Sequence, residues 1–242
     1  MPRSVCITNI AHEGPGLLGV LLRNAGYEVE IIEAFRGEPW PAELGERDIL
    51  IVMGGPMGVA DIGKPEFPWL APVVELLRQR WERGWPCIGI CLGMQLIAHA
   101  AGATVAPMRD ANGQPMREVG WGALRMVGTD VITAGLPAEM EVLHWHGDAC
   151  ALPAGAQLLA STTVCAVQMF RLGRIVGLQF HPEIDGATAC IWASEDAEFV
   201  RAANGPGGSN VCRWLRLGWR HAPRHCGDGC WPRSCGRSPP PD

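Results

Sequence analysis

From Cys87 to Met108 the chain carries no Asp, Glu, Lys or Arg. So long an uncharged run must leave water, either inside a bilayer or inside a protein core. Gly89, Gly93, Gly102, Gln95, His99 and Pro107 interrupt it, and its first part, Pro86 to Ile90, ends at a glycine-flanked turn. A buried strand followed by a buried helix fits this pattern better than a membrane span. Composition agrees with a core: 48% of the 242 residues are hydrophobic and 19% charged, too apolar for a disordered chain. A formal charge of −5 argues against a nucleic-acid binder, which needs a basic surface. The single lysine, Lys64, beside a large excess of arginine reads as a nucleotide-composition bias. Met1 to Gly16 holds no long apolar run and no small-residue cleavage site. Cys6, Cys87, Cys91, Cys150, Cys165 and Cys190 are scattered singly among apolar neighbours, as reduced cysteines would be. The expectation is a cytoplasmic protein without a membrane segment.

The same reading extends along the chain. Residues 4–10 and Asp48 to Met53 are apolar runs fit for strands, and the second runs straight into Gly54-Gly55-Pro56. Val29, Ile31 and Ile32 mark another strand, as does Pro86 to Ile90. Leu17, Leu18, Leu21 and Leu22 recur at helical spacing before Gly26; Leu70 to Trp81 and Met94 to Ala101 are further helices. Strands alternating with helices imply a parallel sheet covered on both faces, with ligand chemistry at the carboxyl ends of its strands. After Gly102 the texture changes. Gly122–Val127, Glu141–Trp145, Val164–Phe170 and Arg174–Phe180 read as antiparallel strands, and Ala187 to Ala203 as a closing helix. Residues 1–204 therefore form one domain. Residues 205–242 carry six Arg against two Asp, four Cys, three Trp and little periodicity, and read as a poorly structured tail.

Three places carry chemistry. Gly89-Ile90-Cys91-Leu92-Gly93 sits where a buried strand turns sharply into a helix, the arrangement of a nucleophile elbow. The flanking glycines permit the tight turn, the thiol is lifted clear of the sheet, and the helix N-terminus favours an anion there. A nucleophile needs a base, and the base an orienting group. His181-Pro182-Glu183 offers both, because residues two apart on an extended backbone project to one side and Pro182 disfavours a helical path. A developing oxyanion needs donors; the backbone N–H groups of Leu92 and Gly55 are the candidates.

Ile51-Val52-Met53-Gly54-Gly55-Pro56-Met57, Gly89 to Leu96, His144-Trp145-His146-Gly147-Asp148 and Gly177 to Glu183 together resemble the successive motifs of class I (triad-type) glutamine amidotransferases. They are closest to stand-alone members similar to the glutaminase domain of GMP synthase. The resemblance covers roughly residues 4–204, in the family's order. It implies a flavodoxin-like α/β sandwich of three layers, with a mostly parallel central sheet and a few additional antiparallel strands. It also implies hydrolysis of L-glutamine to glutamate and ammonia by a triad of Cys91, His181 and Glu183, with Gly55 and Leu92 as the oxyanion hole. Gln95, Gly147 and Asp148 match the positions that hold substrate, and His144 and His146 are left to packing or loop positioning. Arg117-Glu118-Val119-Gly120-Trp121 resembles a family segment without a chemical role. No cofactor and no metal are implied.

Two departures shape the expectation. No ATP-pyrophosphatase signature is present, so ammonia would pass to a separate synthetase subunit. The alternatives are a γ-glutamyl hydrolase acting alone and a non-catalytic regulatory module that kept the fold. Residues 205–242 match no amidotransferase end; their composition is what a GC-rich gene read out of frame would give. His221, His225, Cys226, Cys230 and Cys235 lack a clean Cys-x2-Cys pair, which argues against zinc there.

Overall fold

A computed structural model describes residues 2–40 and 44–204. Its first half runs β1 (Arg3–Thr8), α1 (Gly16–Asn24), β2 (Glu28–Glu33), β3 (Ile49–Val52), α2 (Leu70–Glu82), β4 (Cys87–Ile90) and α3 (Leu92–Ala100). Its second half runs β5 (Val105–Pro107), β6 (Glu118–Met126), β7 (Glu139–His146), β8 (Asp148–Cys150) and β9 (Gln157–Ser161). It closes with β10 (Met169–Leu172), β11 (Ile175–Leu178), α4 (Gly186–Glu195) and α5 (Ala197–Asn204).

Nine strands form one sheet in the order β2-β1-β3-β4-β11-β10-β9-β6-β7, while β5 and β8 pair separately. The first five strands are mutually parallel, and from β11 onward every pairing is antiparallel. Side chains on the parallel strands divide by the period of two. Val5, Ile7, Leu50 and Val52 join a core with Leu70, Val73 and Leu77 of α2 and Leu92 and Leu96 of α3. Cys6, Ile51, Met53 and Ile90 face the other way, against Leu22 of α1. Ala189, Trp192 and Val200 of α4 and α5 cover Val119, Leu143 and Trp145 of β6 and β7. This is the expected sheet between helical layers, of the flavodoxin-like type.

Helix α3 lies close against the sheet because two glycines allow it. A Cβ on Gly93 would come 1.9 Å from the Val52 carbonyl oxygen, and one on Gly89 would meet the Gly93 main chain at 2.5 Å. The Gly-x-Cys-x-Gly spacing is thus a packing requirement as well as a turn requirement.

Three sequence expectations are corrected. The strand expected over Val164–Phe170 begins only at Met169, because the Thr162 hydroxyl accepts from the N–H of Cys165 at 2.9 Å and bends the chain. The single helix over Ala187–Ala203 is broken at Asp196, whose carboxylate accepts instead from the Trp145 indole at 3.1 Å. Strand β9, with Leu159 and Ala160 fully buried, was not expected at all. The tail reading and its histidines and cysteines fall on residues 205–242, outside the described residues. No described helix is long and apolar enough to cross a membrane.

Candidate active site

Cys91 occupies the bend between β4 and α3 with φ 51°, the only non-glycine residue among those described with a positive φ. Such a backbone costs about 1–3 kcal/mol and persists only where its surroundings hold it. Here the Cys91 N–H donates to the Leu178 carbonyl at 2.7 Å and its carbonyl accepts from Gln95 at 3.1 Å, so β11 and α3 clamp the turn. The thiol lies 3.7 Å from the Trp145 carbonyl oxygen and 3.6 Å from the Gln179 amide nitrogen.

His181 follows β11, which lies beside β4 in parallel register, so the imidazole and the thiol emerge from neighbouring strand ends. Its N–H donates to the Leu143 carbonyl at 2.9 Å. Its Nδ1 meets Glu183 Oε1 at 2.8 Å, and both side chains are 1% exposed. The ring flanks Gly54 together with the Cys91 side chain and stands edge-on to Trp192, with centroids 4.8 Å apart. Burial alone would disfavour the charged ring, but Glu183 and Cys91 overcome it and hold the imidazole well above the ordinary histidine range. Glu183 is tied in turn to α1, whose Leu17 N–H donates to its carbonyl at 3.0 Å.

These groups face a cavity of about 440 Å³. Cys91, His181, Gly55, Gln95, Gly147 and Asp148 all line it. Glu183 lies behind His181. Leu92 is 1% exposed and opens α3, where a first-turn N–H has no partner within the helix. The Gly54–Gly55 turn is pinned by Asn9, whose amide donates to the carbonyls of Met53 and Gly54 at 2.9 and 3.0 Å. A Cβ on Gly54 would lie 3.2 Å from the His181 ring and 3.5 Å from the Cys91 Cβ, so glycine is what lets this turn approach the pair.

The family model described as "Glutamine amidotransferase class-I" matches residues 18–189. The chain belongs to this family. A GMP synthase (glutamine-hydrolysing) from Thermomicrobium roseum is 37% identical over 137 residues, covering 56% of this chain and 23% of that protein. The chain thus matches about a quarter of such relatives' length. A glutamine amidotransferase from Thermotoga maritima shares the fold with a TM-score of 0.78 at 24% identity, over 90% of this chain and 92% of that one. Another, from Methylobacillus flagellatus, has a TM-score of 0.71 at 26% identity, over 90% and 92%.

Residues that sequence reasoning passed over stand in this cavity and behind it. Gln179, fully buried, donates to the Cys91 sulfur and accepts from the Gln95 amide at 3.2 Å, joining Gln95 to the thiol. A buried glutamine two residues before His181, on the same face of the strand, was the available signal. Glu13 reaches the site from the loop after β1: its Oε2 would lie 2.3 Å from a Cβ on Gly54. Burial pushes its carboxyl up to about 7, with His181 opposing and Glu183 and Asp196 reinforcing the rise. Asp196 lines the cavity as well, brought there by the break between α4 and α5. Among the described residues, Glu118, His144 and His146 form a group with metal-ligand chemistry.

Proposed function

We propose that this amidotransferase hydrolyses the side-chain amide of glutamine with Cys91 as nucleophile, His181 as base and acid, and Glu183 orienting His181. The observation that carries the reading is a thiol on a strained elbow that shares one cavity wall with an imidazole, which a buried carboxylate fixes at 2.8 Å. With the proton of the pair resting on His181, the Cys91 sulfur bonds to the amide carbon and the carbonyl becomes an oxyanion. The N–H groups of Leu92 and Gly55 bind that oxyanion. His181 then protonates the leaving nitrogen, the C–N bond breaks, and ammonia departs from a γ-glutamyl thioester. Water, deprotonated by His181, attacks the thioester, and glutamate leaves as the thiol regains its proton.

Gln95 contacts the substrate glutamine and the Gly147–Asp148 loop grips its amino-acid end, since all three border the cavity that Cys91 lines. In this reading the ammonia passes to an acceptor synthetase, the activity that the names of the related GMP synthases carry. Incubation with a glutamine-mimicking electrophile tests the reading. It should modify Cys91 alone and be blocked by excess glutamine. Modification of another cysteine, or none in a folded protein, would overturn it.

A further inference from the structure

Strands β6 and β7 enclose a second group of side chains, beside the cavity but outside the proposed triad. Glu118, His144 and His146 each offer one ligand atom, and these atoms all lie within 4.8 Å of one another. The ladder places them: Glu118 pairs with His146 and Gly120 with His144, so all three side chains share one face. Both histidines are 3% exposed.

The polar groups here are incompletely satisfied. Neither ring nitrogen of His144 has a hydrogen-bond partner; the Gly122 main chain lies beside the ring without a bond of proper geometry. Buried polar side chains rarely lack partners altogether. His146 is held as metal-bound histidines are, with Nδ1 at 3.0 Å from the Asp148 carbonyl and Nε2 turned to Glu118 at 3.2 Å. Gln168, fully buried, points its NH2 at Glu118 (2.6 Å) and at His146 Nε2 (3.3 Å), and its Oε1 has no partner. A half-turn of that amide exchanges nitrogen and oxygen and presents a fourth donor.

We propose that Glu118, His144 and His146, with the Gln168 carboxamide oxygen, bind a divalent metal ion of the zinc class. Two imidazoles, a carboxylate and a carbonyl oxygen suit a borderline ion. Zinc–ligand bonds of about 2 Å set donor separations of about 3.3 Å, so the side chains close by roughly 1.5 Å on binding. A cavity of about 280 Å³, lined in part by Glu118, His144 and Thr162, provides access. The ion would tie β6 to β7 where β7 runs into the Gly147–Asp148 loop, a positioning role.

Equilibrium dialysis of the full-length chain against Zn²⁺, and Co²⁺ absorption spectra, test the proposal in wild type, His144→Ala and Glu118→Gln. Each protein is first checked for a cooperative thermal transition, and either folded variant alone decides. Wild type should bind one equivalent, with cobalt d–d bands of four-coordinate geometry and no thiolate charge-transfer band, and the variants at least about tenfold more weakly. No saturable uptake, equal uptake in a folded variant, or a spectrum dominated by thiolate ligation from Cys212, Cys226, Cys230 and Cys235 would overturn it. No readout depends on glutaminase activity, so the result stands apart from the triad reading.

Discussion

In the parallel half of the sheet, the strand interiors around Val5, Ile7, Leu50, Ile51, Val52 and Ile90 are fully buried and apolar, with Ser4 the exception. Polar groups gather where those strands end: Asn9 after β1, the Gly54–Gly55 turn after β3, Cys91 after β4, Gln179 and His181 after β11. In the antiparallel half, the buried His144, His146 and Gln168 and the half-buried Glu118 cluster on the strands and beside them, within the sheet region itself. Helices on both faces leave a parallel strand no room for an unpaired polar side chain, so its chemistry is confined to its carboxyl end. An antiparallel pair with one less crowded face can hold a polar cluster along its length. Substitutions at the edge of the parallel half should therefore remove activity and spare the fold; substitutions inside it should do the reverse.

The largest effect tests the edge. Cys91→Ala should lower glutaminase turnover by about 10⁶ while thermal unfolding stays near wild type. Normal turnover in this variant would refute the nucleophile assignment. Glu183→Gln should cost less, about 10⁴, because the side chain orients the imidazole and does not attack. Gly93→Ala tests the interior. With a Cβ 1.9 Å from the Val52 carbonyl, α3 must move off β3, at a cost of about 3 kcal/mol or more in denaturant unfolding. If Gly93→Ala unfolds like wild type, the close packing of α3 is not what fixes the glycine, and the edge–interior distinction fails.

The same division explains what could be read in the sequence. The parallel half announced itself because uninterrupted apolar runs and glycine turns have few alternatives: β1, β3, α2, β4 and α3 fall where periodicity places them, within a residue or two. Cys91, His181 and Glu183 were legible for a related reason, since Cys91 directly follows β4 and the other two stand a few residues beyond the end of β11. Strand β9 was hidden because Gln157-Leu158-Leu159-Ala160-Ser161 lacks β-branched residues and is selected by its neighbours β10 and β6. The break at Asp196 depends on a hydrogen bond from Trp145, 51 residues away, which no local pattern encodes. Glu13 is hidden for the same reason, since a loop carboxylate becomes part of a site only when folding brings it to Gly54.

Glu13 also offers the finest test of the idea that strand ends hold polar groups at a cost in stability. Its carboxyl titrates at about 7 in the folded protein, raised from 4.5 chiefly by burial. Below pH 4.5 both folded and unfolded forms carry the proton, and the full stability is present. As pH rises from 4.5 to 7 the unfolded chain ionises while the folded site keeps its proton, so stability falls, then levels off above 7. At about 1.4 kcal/mol per pKa unit the loss is at most about 3.5 kcal/mol, and nearer 1–2 because the carboxyl borders an open cavity. His181, held above its ordinary range, loses its own stabilising contribution in the same direction at higher pH, and it does so in both proteins. Glu13→Gln keeps the shape and removes the titration. Its unfolding free energy should therefore run parallel to wild type below pH 4.5 and become the higher of the two by pH 8. A difference that stays constant across this range would show that Glu13 is no more costly to bury than a surface carboxylate, and that the cleft edge carries no such penalty.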